Sequence, residues 1–223
     1  MVARIATFNK RRYNSYVPAA GYAADVIHAG PLEVELGAPA ASAADNILND
    51  QSIASAGSTT TLLDDFADAP YGRNVRVVAS GAATSTVTVR GRDYLGQPMT
   101  ETLTLNGTNS VVGVKAFMWL DSVSWGATSG TTIDLGWGAR FGLPYRTVNV
   151  LAEQVSGAAG TVGTLTAGVR TDPQTATTAD PRGLYTPNGT VNGTNLFVLV
   201  VLTDNFVNAA GNGGLYGIAH FSS

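Results

Sequence analysis

Thr84–Leu105 reads TSTVTVRGRDYLGQPMTETLTL, two alternating stretches around a tight turn. Val87 and Val89 fall on one face with Met99, Leu103 and Leu105 from across the turn. Thr86, Thr88, Arg90 and Arg92 fall on the other, opposite Thr100, Thr102 and Thr104. Period-two alternation rich in β-branched residues predicts a half-buried antiparallel hairpin. Tyr94-Leu95-Gly96 fits a three-residue loop whose glycine takes the left-handed conformation. Glu101 is the exception, a charge on the Val/Leu face. It lies at a sheet margin or pairs with a cation such as Arg76 or Arg146.

The same grammar extends along the chain. Strands are expected at Asn74–Ser80, Thr84–Arg92, Met99–Leu105, Val111–Val123, Thr131–Leu135, Arg146–Val155, Thr161–Val169, Leu196–Thr203 and Leu215–Phe221. Asn-Gly pairs at Asn106, Asn188 and Asn192 mark turns between them. Many short strands at this spacing predict an all-β chain: an antiparallel β-sandwich or jelly-roll-like domain over 31–223, preceded by an extended N-terminal arm, 1–30. Leu196–Leu202 (LFVLVVL) lacks alternation and is expected to be covered on both faces. Ala38–Ser58 reads as loop with a helical turn at Asp45–Gln51, and Thr171–Pro187, with three prolines, as a long loop.

Composition narrows the function classes. Only 13% of the 223 residues are charged and the net charge is −3, so no strong field draws the chain to nucleic acid or to an anionic membrane. A surface this poor in charge is expected to be covered by sister subunits or a larger assembly. The absence of cysteine excludes disulfides and thiolate metal sites. Leu196–Leu202 is the longest apolar run and is far too short to span a bilayer.

Residues 1–30 show no sustained period and mix aromatic with basic side chains. Arg4, Lys10, Arg11 and Arg12 alternate with Phe8, Tyr13 and Tyr16, a set suited to binding a protein partner. So few cations on a net-negative chain favour an acidic protein over nucleic acid. From Tyr13 to Gly72 there is no Lys or Arg, while Glu33, Glu35, Asp45, Asp50, Asp64, Asp65 and Asp68 accumulate. A basic arm and an acidic segment form a candidate head-to-tail docking pair between subunits. The C-terminal region Leu196–Phe221 is expected to supply part of a homotrimer interface, because after Arg182 the chain has no cation and only Asp204 as an acid.

Catalytic and cofactor patterns are absent from the sequence. His28 and His220 are the only histidines and have no zinc-ligand spacing. Asp64, Asp65 and Asp68 are the sole carboxylate cluster, which with Glu33 and Glu35 would have to supply any glycosidase acids or calcium site, and DDFAD lacks the calcium-loop spacing. There is no G-x-S-x-G elbow and no phosphate-cradling glycine motif. The expectation is a non-enzyme without cofactor or metal. Trp119, Trp125 and Trp137 are the residues a carbohydrate-binding surface would use, against the commoner role of large aromatics in cores and interfaces.

GRDYLGQPMTETLTLNG (Gly91–Gly107), VVGVKAFMWLDSVS (Val111–Ser124) and FGLPYR (Phe141–Arg146) resemble segments of the head decoration, or cement, proteins of tailed bacteriophages. ADPRGLYTP (Ala179–Pro187) and GGLYGIAHF (Gly213–Phe221) are similar to that group's C-terminal half. The resemblance runs over most of residues 70–223 and rests on turn and strand patterns rather than catalytic signatures. It implies a virion structural protein, commonly trimeric, made in the host cytoplasm and bound to the outside of the capsid through the major capsid protein. It implies no contact with nucleic acid or membrane. Tail and adaptor proteins of phages share some of these patterns, so a tail or fibre component that binds host-surface carbohydrate is the alternative.

Overall fold

The computed structural model describes residues 31–52, 58–127, 130–169 and 180–203, with the backbone alone at 52 and 58–65. Fourteen strands follow one another without a helix among the described residues. They are β1 (Leu32–Gly37), β2 (Leu48–Ser52), β3 (Ser58–Phe66), β4 (Arg73–Ala79), β5 (Thr86–Arg92), β6 (Pro98–Thr104) and β7 (Val111–Val112). Then come β8 (Trp119–Trp125), β9 (Thr132–Gly142), β10 (Thr147–Val155), β11 (Ala158–Gly160), β12 (Thr164–Ala167), β13 (Gly183–Thr186) and β14 (Phe197–Thr203). All pairings are antiparallel, and the architecture is that of a β-sandwich.

The opening hairpin forms as its alternation dictates. Val87 faces Leu103, Val89 faces Glu101 and Gly91 faces Met99. Val87, Val89, Met99 and Leu103 are buried, while the Thr/Arg face is open to solvent or half-buried. Asp93 and Gln97 close the loop, and Gly96 sits at φ +84°. The Asp93 Oδ1 accepts the Leu95 and Gln97 amides at 2.8 and 2.9 Å, which fixes the turn. Gly91 is required for a different reason: a Cβ there would lie 2.3 Å from the Trp119 carbonyl of the adjacent strand.

Three sheets result, ordered β3-β8-β5-β6, β12-β13-β9-β4-β7 with β2 also on β9, and β1-β14-β10-β11. The long β9 is the shared spine. Its N-terminal half, with β4, packs Val75, Val77, Ile133, Leu135 and Trp137 against Val87, Val89, Leu120 and Val123 of the hairpin sheet. Its C-terminal end and β13 pack Phe141, Leu143 and Tyr185 against Val34, Leu36, Phe197, Leu199 and Val201 of the third sheet. Thus there are two apolar cores, one toward each end of β9.

Several local expectations are corrected. Val111–Val123 is not one strand: β7 stops at Val112, and Gly113–Met118 crosses to the hairpin sheet, with Lys115 and Phe117 fully buried on the way. Asp45–Gln51 is not helical; β2 pairs with β9, and the Asn46 Oδ1 accepts the Trp137 amide at 2.8 Å. Thr131–Leu135 is the start of a strand that continues to Gly142. The end of the expected long loop, Asp180–Thr186, is core, with Asp180, Arg182, Leu184 and Tyr185 all at 2% exposure or less. Leu196–Leu202 falls in β14, between β1 and β10, and its lack of alternation matches its burial, Val200 being buried as well as Phe197, Leu199 and Val201. The expected strand Leu215–Phe221 lies outside the described residues.

Candidate functional site: an arginine cleft above buried ion pairs

Arg4, Phe8, Lys10, Arg11, Arg12, Tyr13 and Tyr16, the partner-binding candidates, lie outside the described residues, as do His28 and His220. The carboxylate cluster does not converge where it is described. Asp68 accepts the Ala40 amide at 2.6 Å and pairs with Arg73 at 2.8 Å, whereas Glu33 and Glu35 stand exposed on β1. Among the described residues no group of three or more His, Cys, Asp or Glu is placed to hold a metal. Trp125 and Trp137 are core residues at 5% and 6% exposure, which removes them from any sugar-stacking surface. Trp119 is half-buried and leans on Phe66, itself 58% exposed, with ring centroids 6.3 Å apart.

One concavity borders an irregularity in β9. Opposite β4, Arg73 pairs with Phe141 but Val75 pairs with Trp137, so Gly138, Ala139 and Arg140 bulge out of the ladder. Bulges of this kind re-aim side chains. Asn74 fills the gap, its Oδ1 accepting the Arg140 amide at 2.8 Å and its Nδ2 donating to the Val75 and Gly113 carbonyls at 3.1 Å each. The bulge borders a shallow cleft of about 360 Å³. Arg76 and Arg140 supply its charge, Ser42, Ser110 and Thr186 its hydroxyls. Its apolar part is Val112, Gly138 and Ala139. Arg76 donates to Ser110 Oγ at 3.1 Å and to Ser42 Oγ at 3.3 Å, and Arg140 to the Gly113 carbonyl at 3.4 Å. Sequence reading missed the pair, because only the bulge brings Arg140 beside Arg76.

Beneath the surface the charged residues pair with one another. Arg73, fully buried, holds Asp68, donates through Nε to the Gly138 carbonyl at 2.9 Å and lies over the Phe141 ring. Arg182 reaches Asp93 at 2.5 Å, and its guanidinium sits 4.7 Å above the Tyr94 ring. Tyr94 donates its hydroxyl to the Pro144 carbonyl at 2.6 Å and meets Tyr71 edge-on at 5.4 Å. Burial pushes the Tyr94 hydroxyl up to about 12, against the opposing pull of Arg182. Asp180 accepts the Ala116 amide at 3.0 Å and the Arg182 amide at 2.9 Å, and burial raises its carboxyl above the usual range.

Glu101 resolves the puzzle of the hairpin. Its carboxylate is 3% exposed and accepts the Val114 amide at 2.5 Å, with Lys115 as a neighbouring cation. Lys115 donates to the Thr100 carbonyl at 2.5 Å. Burial pushes Glu101 up to about 7, opposed by the Val114 amide and the Lys115 charge. Glu153, on the inward face of β10, is another buried carboxylate at 1% exposure. It accepts the Tyr185 hydroxyl at 2.5 Å and the amides of Gly163, Asn188 and Gly189 at 3.1, 3.2 and 3.0 Å. These carboxylates are tied to local donors, an arrangement that holds loops in place.

The outward face of the third sheet differs from the Thr/Arg face of the hairpin. Glu33, Val200 and Ala152 share a row, as do Glu35, Val198 and Gln154. Near them Val148 and Leu151 of β10 and Leu196 before β14 are 55%, 46% and 38% exposed. Exposed apolar side chains gathered on one sheet face mark a contact surface rather than a reaction site. Comparison of the chain with family models, curated proteins and solved structures returns no match.

Proposed function

We propose that this chain is a virion structural protein of the cement type, which binds the outside of an assembled phage head and stabilises it against the pressure of packed DNA. The observation that carries the reading is a convergence. The segments that resemble cement proteins are scattered in sequence, yet four of them supply Asp93 and Tyr94, Val114 to Ala116, Pro144, and Asp180 with Arg182 to one interlocked set of contacts. The low charge of the chain and the exposed apolar face of the third sheet suit a protein that works by being covered.

The mechanism is mechanical. A clamp that touches several shell subunits raises the free energy of separating them, and linked contacts add through effective concentration. Binding the assembled shell and not the loose subunit stabilises the shell by mass action. On this reading the chain acts as a homotrimer whose residues 1–30 reach a neighbouring subunit or the major capsid protein. The alternative, a carbohydrate-binding fibre component, retains one of its three tryptophans, Trp119 beside Phe66.

Co-sedimentation with undecorated heads of the parent phage tests the proposal. Full-length protein is expected to pellet with shells and to raise the temperature at which they release DNA. A chain lacking residues 2–16 is expected to fold and to bind shells weakly. Full-length protein that stays in the supernatant, with antibody label at the tail tip of native particles, overturns it.

A further inference from the structure

We propose that the Arg76–Arg140 cleft is a carboxylate-binding site, and that its occupant is the Glu33–Glu35 edge of a second copy of this chain. Three other arginines have acids: Arg73 pairs with Asp68 at 2.8 Å, Arg182 with Asp93 at 2.5 Å and Arg92 with Asp121 at 3.4 Å. Arg76 and Arg140 meet no carboxylate among the described residues, although both are half-buried in one cleft. Their hydrogen bonds go to two serine hydroxyls and one carbonyl at 3.1 to 3.4 Å. A partly desolvated guanidinium bonded only to neutral groups forgoes the charge-assisted, two-pronged contact for which its fork is shaped. A carboxylate entering the cleft supplies it. The methyl groups of Val112 and Ala139 suit the aliphatic stem of a glutamate better than a bare phosphate. A net charge of −3 argues against a polyanion as the ligand.

The same chain carries the complement. Glu33 and Glu35 alternate on β1, so both project from one face, about 7 Å apart. β1 is the terminal strand of its sheet, bonded only to β14. Neither carboxylate has an ion pair or hydrogen bond among the described residues; Glu35 acts only on the neighbouring Tyr71 hydroxyl. Val198, half-buried, stands beside Glu35 and supplies apolar area to such a contact. The acidic edge and the arginine cleft lie on different sheets of one chain and do not pair within it. A contact between them is therefore intermolecular, made either reciprocally across a two-fold axis or head-to-tail into a ring or filament. This inference rests on the self-association in the proposed function, but not on shell binding.

Charge reversal and its compensation form the test, read by sedimentation velocity at low salt with far-UV circular dichroism as the control for folding. Arg76→Glu with Arg140→Glu, and separately Glu33→Arg with Glu35→Arg, are each expected to weaken self-association about a hundredfold. The four substitutions together are expected to restore it to within about tenfold of the starting protein. Should a reversed variant misfold, the neutral pairs Arg76→Gln with Arg140→Gln and Glu33→Gln with Glu35→Gln replace it, each expected to weaken association. A starting protein that is monomeric at micromolar concentration overturns the inference. So does association unchanged by either reversal, or a folded fourfold variant that does not reassociate. Loss of shell co-sedimentation on cleft reversal, with self-association intact, assigns the cleft to a capsid carboxylate instead and also overturns it. Shells that never bind, with charge rescue observed, refute the cement reading and leave this inference standing.

Discussion

Replacing Glu153 by alanine removes the acceptor of four hydrogen bonds at once. The Tyr185 hydroxyl, fully buried, loses its 2.5 Å acceptor, the Asn188 and Gly189 amides lose theirs, and the Gly163 amide keeps only the Tyr185 oxygen at 2.6 Å. Residues 163, 188 and 189 are exposed or half-buried, so water replaces part of what their amides lose. The tyrosine hydroxyl has no such recourse, and a stranded buried donor costs about 1–3 kcal/mol. Adding the charge-assisted bonds to the three amides, discounted for that hydration, gives a total near 4 kcal/mol for Glu153→Ala. Glu153→Gln keeps an oxygen where Oε2 stood, and with it the Gly163, Tyr185 and Asn188 donors, but turns an NH₂ toward the Gly189 amide. Its expected cost is about 2 kcal/mol. Urea unfolding gives both values from the midpoint and slope. Hydrogen exchange at Asn188 and Gly189 should accelerate in both variants, since the turn at 188–189 loses its anchor. A loss below about 1 kcal/mol for Glu153→Ala would refute the view that this carboxylate holds the turn at 188–189 and the segment around Gly163 onto the third sheet.

Burial raises Glu101 from 4.5 to about 7, so the folded chain retains a proton that the unfolded chain releases. Stability from this group is full below pH 4.5, falls by about 3 kcal/mol as pH rises to 7 and is flat above; urea unfolding across that range should show the slope, and Glu101→Gln should abolish it. Gly91→Ala places a methyl 2.3 Å from the Trp119 carbonyl and should cost about 3 kcal/mol in thermal or urea unfolding. Gly96→Ala meets nothing closer than 4.0 Å, and its φ of +84° should cost only about 1 kcal/mol.

The hairpin was legible because its information is local. Alternation sets which face of Val87–Leu105 is buried, and a glycine three residues past Asp93 sets the turn; both follow from backbone geometry within some twenty residues. Leu32–Gly37 carries the same signal, apolar at Leu32, Val34 and Leu36 with Glu33 and Glu35 between, although its acids drew attention to charge rather than to strand. Composition likewise spoke for a covered surface without reference to any contact.

Other features depend on residues far apart in sequence. Asp180–Thr186 has the prolines of a loop, yet it is core because Arg182 finds Asp93, 89 residues away, and Tyr185 finds Glu153, 32 residues away. Lys115 reads as the polar position of a long strand, but the chain crosses between sheets there and buries it beside Glu101. The arginine cleft was invisible because a bulge breaks the period that sequence patterns rely on, and the bulge is held by Asn74 on another strand. The sequence by itself therefore determined the all-β class, the central hairpin and its turn, since alternation and turn chemistry act between near neighbours. The tertiary structure alone decided which charges are buried, which are paired and which face outward without an acid, because those outcomes depend on which distant strands the sheets bring side by side.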